Sequence, residues 1–159
     1  MGAKRPKSRT GITLIEIMAA IVIITIAVLG ASGYRYYSTI DARKAAVQST
    51  AARIGLLLSE NWRGLGYDRV GTYDPSSYLG SDMTIAVSSV GPDYPSGFNT
   101  LGRYEIVVND ARYWAALSYR DDAEGLRTLN TVVAWAQRPM DSDDVTMDKT
   151  FKLTTFVAN

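Results

Sequence analysis

The 159-residue chain contains no cysteine and no histidine. Thiol catalysis, disulfide bonds and histidine-based metal sites are therefore excluded. The chain also lacks a Ser/His/Asp set for nucleophilic catalysis and a glycine-rich loop of the kind that cradles phosphate. These absences predict that the chain is not an enzyme, and no cofactor is predicted.

The chain also lacks a strong net charge. Its 17 basic and 16 acidic residues leave a net charge of +1. Four basic residues, Lys4, Arg5, Lys7 and Arg9, lie before Gly11, and no acidic residue accompanies them. The rest of the chain has 13 basic and 16 acidic residues, so it has no excess of positive charge with which to bind nucleic acid. The positive charge is thus concentrated in residues 1–11.

A long apolar stretch follows this basic leader. Of the 20 residues from Ile12 to Ala31, 16 are apolar. At about 1.5 Å per residue, such a helix spans roughly 30 Å, the thickness of the hydrocarbon core of a bilayer. We therefore predict that residues 12–33 form a transmembrane helix half. The positive-inside rule keeps the basic end in the cytoplasm and sends the rest of the chain across the membrane.

Residues 34–63 are predicted to continue this helix as an amphipathic half. Apolar side chains recur there mostly at spacings of three, four or seven, which places them on one helix face: Tyr34, Tyr37, Ile40, Val47, Ala51, Ile54, Leu58 and Trp62. We expect this face to pack on the domain that follows, and its upper part is also compatible with a partner helix. The helix should end at about Arg63, because Gly64 is a good C-terminal stop.

Glu16 is the one fully ionisable residue in the apolar stretch. A carboxylate inside a membrane span costs about 2.5–3.5 kcal/mol on insertion scales. Glu16 therefore needs a specific explanation.

The start of the chain resembles the signal of type IV prepilins, the precursors of type IV pilins and of the pseudopilins of type II secretion. Their pattern is a basic leader, a glycine at the cleavage site, an apolar residue that is usually phenylalanine, and then T-L-x-E. Gly11, Thr13, Leu14 and Glu16 match this pattern, and Ile12 replaces the phenylalanine. The resemblance covers a small part of the chain, but its combination of features is specific.

The resemblance implies a structural subunit, with a minor pilin or pseudopilin favoured over a fibre-forming major pilin. A prepilin peptidase would remove residues 1–11 and methylate the new amine of Ile12. Glu16 would then face the amine of a neighbouring subunit, because opposite charges attract strongly in a low dielectric. The expected partners are other pilin or pseudopilin subunits, the peptidase and an inner-membrane assembly platform. The expected location is the bacterial inner membrane, with a periplasmic or extracellular C-terminal domain, and then a filament.

Other classes of protein explain part of this pattern. An ordinary secretory signal also has a basic start and an apolar core, and Ala31-Ser32-Gly33 would serve as its small-residue cleavage site. The chain would then be an exported binding module, or one held by a plain single-span anchor. Neither alternative explains a glutamate five residues after Gly11. A mature N-terminus at Ile12 favours the prepilin, and one near Tyr34 favours ordinary secretion.

Gly30 and Gly33 lie where the helix would leave the membrane. Each costs about 1 kcal/mol relative to alanine in a helix interior. We predict that they form a weak point at which the helix loosens in a filament, a role that proline has in many pilins. The alternative is that these small residues permit close helix packing.

Residues 64–159 are predicted to form a globular β-sheet region packed on the helix. A loop-rich connection leads to four strand-like runs, at residues 83–90, 103–109 together with 113–119, 128–137 and 151–157. We interpret the two segments of the second run as continuous through a bulge near Asp110. Short connections favour antiparallel pairing. The predicted fold class is α+β, a long N-terminal helix on a small antiparallel sheet, which is also the pilin architecture.

An acidic loop precedes the last strand-like run and contains Asp141, Asp143, Asp144 and Asp148. Their spacing matches no strong metal motif, so we predict a solvated loop and no metal site. Calcium is the alternative, because it binds several oxygen ligands from a flexible loop and some pseudopilins bind it in a C-terminal loop.

Overall fold

A computed structural model describes residues 13–77, 80, 82–123, 125–137 and 147–159. One long helix and five strands follow one another: α1 (Leu14–Gly64), β1 (Met83–Val87), β2 (Asn99–Val108), β3 (Ala111–Ala123), β4 (Leu126–Trp135) and β5 (Lys149–Ala158). Two short 3-10 helices, Tyr67–Thr72 and Pro75–Ser77, lie between α1 and β1. The chain divides into two compact units, Met1–Arg43 and Lys44–Asn159, and α1 contributes to both.

The part of α1 in the first unit begins with a long apolar segment, which carries Glu16 in its first turn. The large apolar side chains of this segment, from Leu14 to Leu29, are exposed. By length and composition, α1 is therefore able to cross a membrane, as the sequence predicts. The helix ends at Gly64, one residue beyond the predicted end.

The five strands form one antiparallel sheet in the order β1-β2-β3-β4-β5. Each strand pairs with its neighbours in sequence, an arrangement that short connections allow. The C-terminal part of α1 packs on this sheet. The predicted α+β class, with a long N-terminal helix on an antiparallel sheet, is confirmed.

The prediction of one continuous run through Asp110 is wrong. Asn109 and Asp110 have φ angles of 49° and 62°, and Val108 pairs with Ala111. The two residues therefore form a two-residue hairpin turn between β2 and β3. Such a turn requires positive φ at both central positions, which asparagine and aspartate tolerate better than most other side chains. The four predicted runs are consequently five strands.

The core of the second unit lies between α1 and one face of the sheet. Ala51, Ile54, Leu58 and Trp62 of α1 are fully buried. Large buried side chains of the sheet meet them in the same cluster: Ile106, Tyr113, Leu117, Leu129 and Val133. From Val47 onward, the helix face predicted from the sequence is confirmed. Tyr34 and Tyr37, assigned to the same face, are exposed instead, because they belong to the first unit.

Gly55 lets α1 approach the sheet closely. A Cβ at this position would lie 2.8 Å from two ring carbons of Phe151 in β5 and 3.5 Å from Val133. Overpacking of this kind costs about 1–3 kcal/mol, while the higher helix propensity of alanine returns up to about 1 kcal/mol. We expect Gly55→Ala to lower the free energy of unfolding by about 1–2 kcal/mol. Urea unfolding of a chain that begins at Tyr34, and so keeps the whole second unit, measures this change.

Gly64→Ala is the matched control, because a Cβ at Gly64 meets none of the described atoms within 4 Å. Its free energy of unfolding should stay close to that of the parent chain. Adding Phe151→Leu to Gly55→Ala should recover part of the loss, since leucine lacks the ring that the new methyl group meets. The packing explanation fails if Gly55→Ala is no less stable than Gly64→Ala.

Candidate processing and assembly site

Thr13 and Glu16 form a hydrogen-bonded pair at the start of α1. The Glu16 carboxylate accepts a hydrogen bond from the Thr13 backbone N–H, at 2.8 Å, and another from the Thr13 hydroxyl, at 3.0 Å. The Glu16 N–H donates to the Thr13 carbonyl, at 3.1 Å. Since α1 begins at Leu14, Thr13 is its N-cap and Glu16 its third helical residue. This is the spacing of a capping box.

The cap gives Glu16 a local structural role. The first N–H groups of a helix have no acceptor inside the helix, and they favour a negative charge nearby. Both bonds from Thr13 end on one carboxylate oxygen, Oε2, so the cap does not require the other oxygen. Glu16 also lies in the first turn of α1, at one end of the apolar stretch. Its cost in a membrane is therefore lower than the figure for the centre of a span.

Thr13 is a residue whose role the sequence prediction missed. There it appears only as one letter of the prepilin pattern. The signal that identifies its capping role is the T-x-x-E spacing in front of an apolar run. The structure thus brings together two of the predicted motif residues and gives them a contact within one chain.

The roles of the remaining predicted site residues stay predictions. Gly11 and Ile12 are outside the described residues, so cleavage and methylation stay predictions. Gly30 and Gly33 lie inside α1, which continues as an α-helix through both. A Cβ at either glycine would meet none of the described atoms within 4 Å. The proposed weak point therefore stays a prediction, as does the alternative of close packing by another helix.

Only one aspartate of the acidic loop belongs to the described residues. Asp148 accepts a hydrogen bond from the Gln137 backbone N–H, at 2.8 Å, just before β5. Asp141, Asp143 and Asp144 lie outside the described part of the chain. Within that part, no group of three or more acidic side chains is placed to hold a metal ion.

Arg127 is the centre of a second cluster of polar side chains. Its guanidinium lies over the rings of Tyr67, at 4.5 Å, and Tyr119, at 5.0 Å. It also donates to the Asp121 carboxylate and, at 3.1 Å, to the Tyr67 carbonyl. The hydrogen bond with Asp121 raises the pKa of Arg127. Because these contacts tie the segment after α1 to β4, we interpret the cluster as structural.

Comparison with known protein families gives a match to the N-terminal segment. The family model for the prokaryotic N-terminal methylation motif matches residues 6–32, which include Gly11, the Thr13–Glu16 pair and Gly30. No curated protein and no solved structure matches the chain. The chain carries the signal motif of type IV pilins and pseudopilins, so the resemblance found in the sequence is confirmed. The motif supports a processed precursor of the type IV pilin kind, and the α+β architecture is pilin-like.

Proposed function

We propose that the chain is a structural subunit of a type IV pilus or of a type II secretion pseudopilus. A prepilin peptidase cuts it after Gly11 and methylates Ile12, and the subunit then assembles through α1. The observation that carries this proposal is the coincidence of the methylation motif, at residues 6–32, with the exposed apolar part of α1. An ordinary anchor accounts for the apolar helix but not for the motif.

The surface of α1 supports assembly through this helix. Its large apolar side chains from Leu14 to Leu29 are between 47% and 77% exposed. An apolar surface of this extent needs lipid or other helices around it. In the proposed sequence of events, lipid covers the helix first and neighbouring subunits cover it in the filament. The basic leader holds the N-terminus on the cytoplasmic side of the inner membrane until cleavage.

Glu16 is the proposed docking residue. Cleavage behind Gly11 creates an amine at Ile12, which keeps its positive charge when it is methylated once. The Glu16 carboxylate uses Oε2 for the cap with Thr13, and its negative charge attracts the amine of a neighbouring subunit. Helix capping and docking are therefore compatible roles of one side chain.

Crosslinking tests assembly through α1. The chain contains no cysteine, so Leu14→Cys in one copy and Met18→Cys in another each introduce a single thiol into the exposed apolar part of the helix. Docking of Glu16 on a neighbouring Ile12 offsets two helices by four residues and brings these two positions level. In cells that contain both copies, a prepilin peptidase and an assembly platform, oxidation should link the two thiols between subunits. The matched control adds Gly11→Lys to both copies, which replaces the small residue at the cleavage site and should abolish crosslinking at an unchanged membrane level. Equal crosslinking with and without Gly11→Lys would contradict assembly that depends on processing.

A further inference from the structure

Three tyrosines and an arginine surround α1 over one turn. Tyr34, Arg35, Tyr36 and Tyr37 occupy four consecutive positions, and the three tyrosine side chains are 76%, 66% and 68% exposed. Successive residues of a helix are rotated by about 100°, so these four side chains point in four directions around the axis. We call these four residues the tyrosine ring. The Tyr36 and Tyr37 rings also contact each other edge to face, with centroids 5.8 Å apart.

The tyrosine ring lies at the end of the apolar stretch. The part of α1 from Leu14 to Tyr34 is about 32 Å long, which matches the hydrocarbon thickness of a bilayer. Glu16 is in the first turn of this segment, and Arg35 is the next charged residue along the chain. Polar and charged residues are then frequent, with Ser38, Thr39 and Asp41 directly after the ring. The ring therefore marks the change from an apolar to a polar helix surface.

A ring of side chains differs from a packing face. Where α1 packs on the sheet, the buried positions Ala51, Ile54, Leu58 and Trp62 recur every three or four residues along one side of the helix. The four positions of the tyrosine ring instead cover all sides at one height. A planar layer that surrounds the helix makes contacts of this kind, and the headgroup layer of a bilayer is such a layer. Tyrosine has an apolar ring and a polar hydroxyl, which suits that layer, and arginine binds phosphate.

We propose that the tyrosine ring binds the phospholipid headgroup layer at the end of the span far from the basic leader. It fixes how deeply α1 sits in the membrane, with Arg35 paired to lipid phosphate and the three tyrosines at the boundary of the hydrocarbon. This inference rests on the membrane stage of the proposed function. The proposed lipid-binding site consists of residues 34–37. These residues lie beyond the methylation motif, which ends at residue 32.

Depth measurements on the full chain test this site. Single cysteines replace Ile23, Ser32 or Ser38 in the cysteine-free chain, carry a spin label, and are placed in nanodiscs of phosphatidylethanolamine and phosphatidylglycerol. Accessibility to oxygen and to a water-soluble nickel complex reports the depth of each label. The tyrosine ring is then altered by two triple substitutions. Tyr34→Leu, Tyr36→Leu and Tyr37→Leu together remove the three hydroxyl groups and leave Arg35 in place. The corresponding tryptophan variant keeps an aromatic side chain with a polar atom at each of the three positions.

In the parent chain, the label at position 23 should lie in the hydrocarbon and the label at position 38 in water. The leucine variant lengthens the apolar surface by one turn, so the label at position 38 should move toward the lipid by about 5 Å. The tryptophan variant should keep it in place. An unchanged depth of the label in the leucine variant overturns the inference. A change in the contacts between labels on different chains, without a change in depth, overturns it as well. If the label at position 23 is in water, α1 does not span the bilayer, and the proposed function fails together with the inference.

Discussion

Glu16→Val is expected to give a processed, membrane-resident chain that does not enter filaments. The substitution removes the only formal charge of the apolar stretch, so membrane insertion should become easier. The core of the second unit begins at Val47 and should fold unchanged. What is lost is the partner for the amine of a neighbouring Ile12. Leaving one member of a buried ion pair without its partner costs about 3–5 kcal/mol, which lowers filament incorporation about a hundredfold or more. Filament incorporation is measured as the amount of the protein in sheared filaments divided by the amount in membranes.

Two further variants separate docking from helix capping. Glutamine also fits the third position of a capping box, so Glu16→Gln keeps an acceptor for the Thr13 N–H while it removes the charge. It should be nearly as defective as Glu16→Val. Glu16→Asp keeps the charge on a shorter side chain and should give a partial defect. If Glu16→Gln enters filaments at the level of the parent chain, the cap is sufficient and the ion pair with a neighbouring amine is not needed.

Trp62→Ala is expected to cause the largest loss of stability in the second unit. The Trp62 side chain is fully buried, and its Nε1–H donates to the Val70 carbonyl at 2.8 Å. Its ring also stacks on Tyr73, with centroids 5.9 Å apart and an angle of 13° between the planes. The side chain thus joins α1 to the segment that follows it. Replacing a buried tryptophan by alanine costs about 3–5 kcal/mol, a large part of the stability of an ordinary domain. Urea unfolding of the chain that begins at Tyr34 gives this value.

Two further substitutions provide comparisons for the stability loss of Trp62→Ala. Trp62→Phe keeps an aromatic ring against Tyr73 and leaves the Val70 carbonyl without its donor, so it should cost less than Trp62→Ala. Leu56→Ala removes a side chain of the same helix that is about half exposed, and it should cost under about 1 kcal/mol. If Trp62→Ala were no more costly than Leu56→Ala, the contact between α1 and the residues after it would not contribute to stability in the way described.

The sequence predicts those elements whose signals are local. The apolar stretch, the end of α1 near Gly64 and the helix face from Val47 to Trp62 follow from composition and from spacings of three and four residues. The same spacing also assigns Tyr34 and Tyr37 to the buried face, but both side chains are exposed. Periodicity shows which side chains share a face, but not how far along the helix the sheet extends.

Two other differences have equally specific causes. The sequence predicts a bulge near Asp110 rather than a turn, because the turn at Asn109 and Asp110 lacks the glycine that usually marks a two-residue hairpin loop. The Thr13–Glu16 cap is not predicted, because the predicted helix begins at Ile12 and so places Thr13 inside the helix rather than at its cap. The first difference depends on the φ angles of two residues, and the second depends on the position of the first helical residue. Neither quantity follows from the spacing of apolar residues. The prepilin pattern is defined by residue types at fixed spacing. The sequence alone is therefore enough to propose Gly11, Ile12 and Glu16 as site residues.

The N-terminus of the mature chain tests the central claim most directly. Mass spectrometry of the protein, isolated from membranes and from filaments of cells that contain a prepilin peptidase, identifies the first residue and any methyl group on it. We expect a chain that begins at Ile12 and carries one methyl group on its amine. A stable, functional chain that keeps residues 1–11 would contradict the proposed processing. A chain that begins near Tyr34 would instead identify an ordinary secretory signal and an exported module.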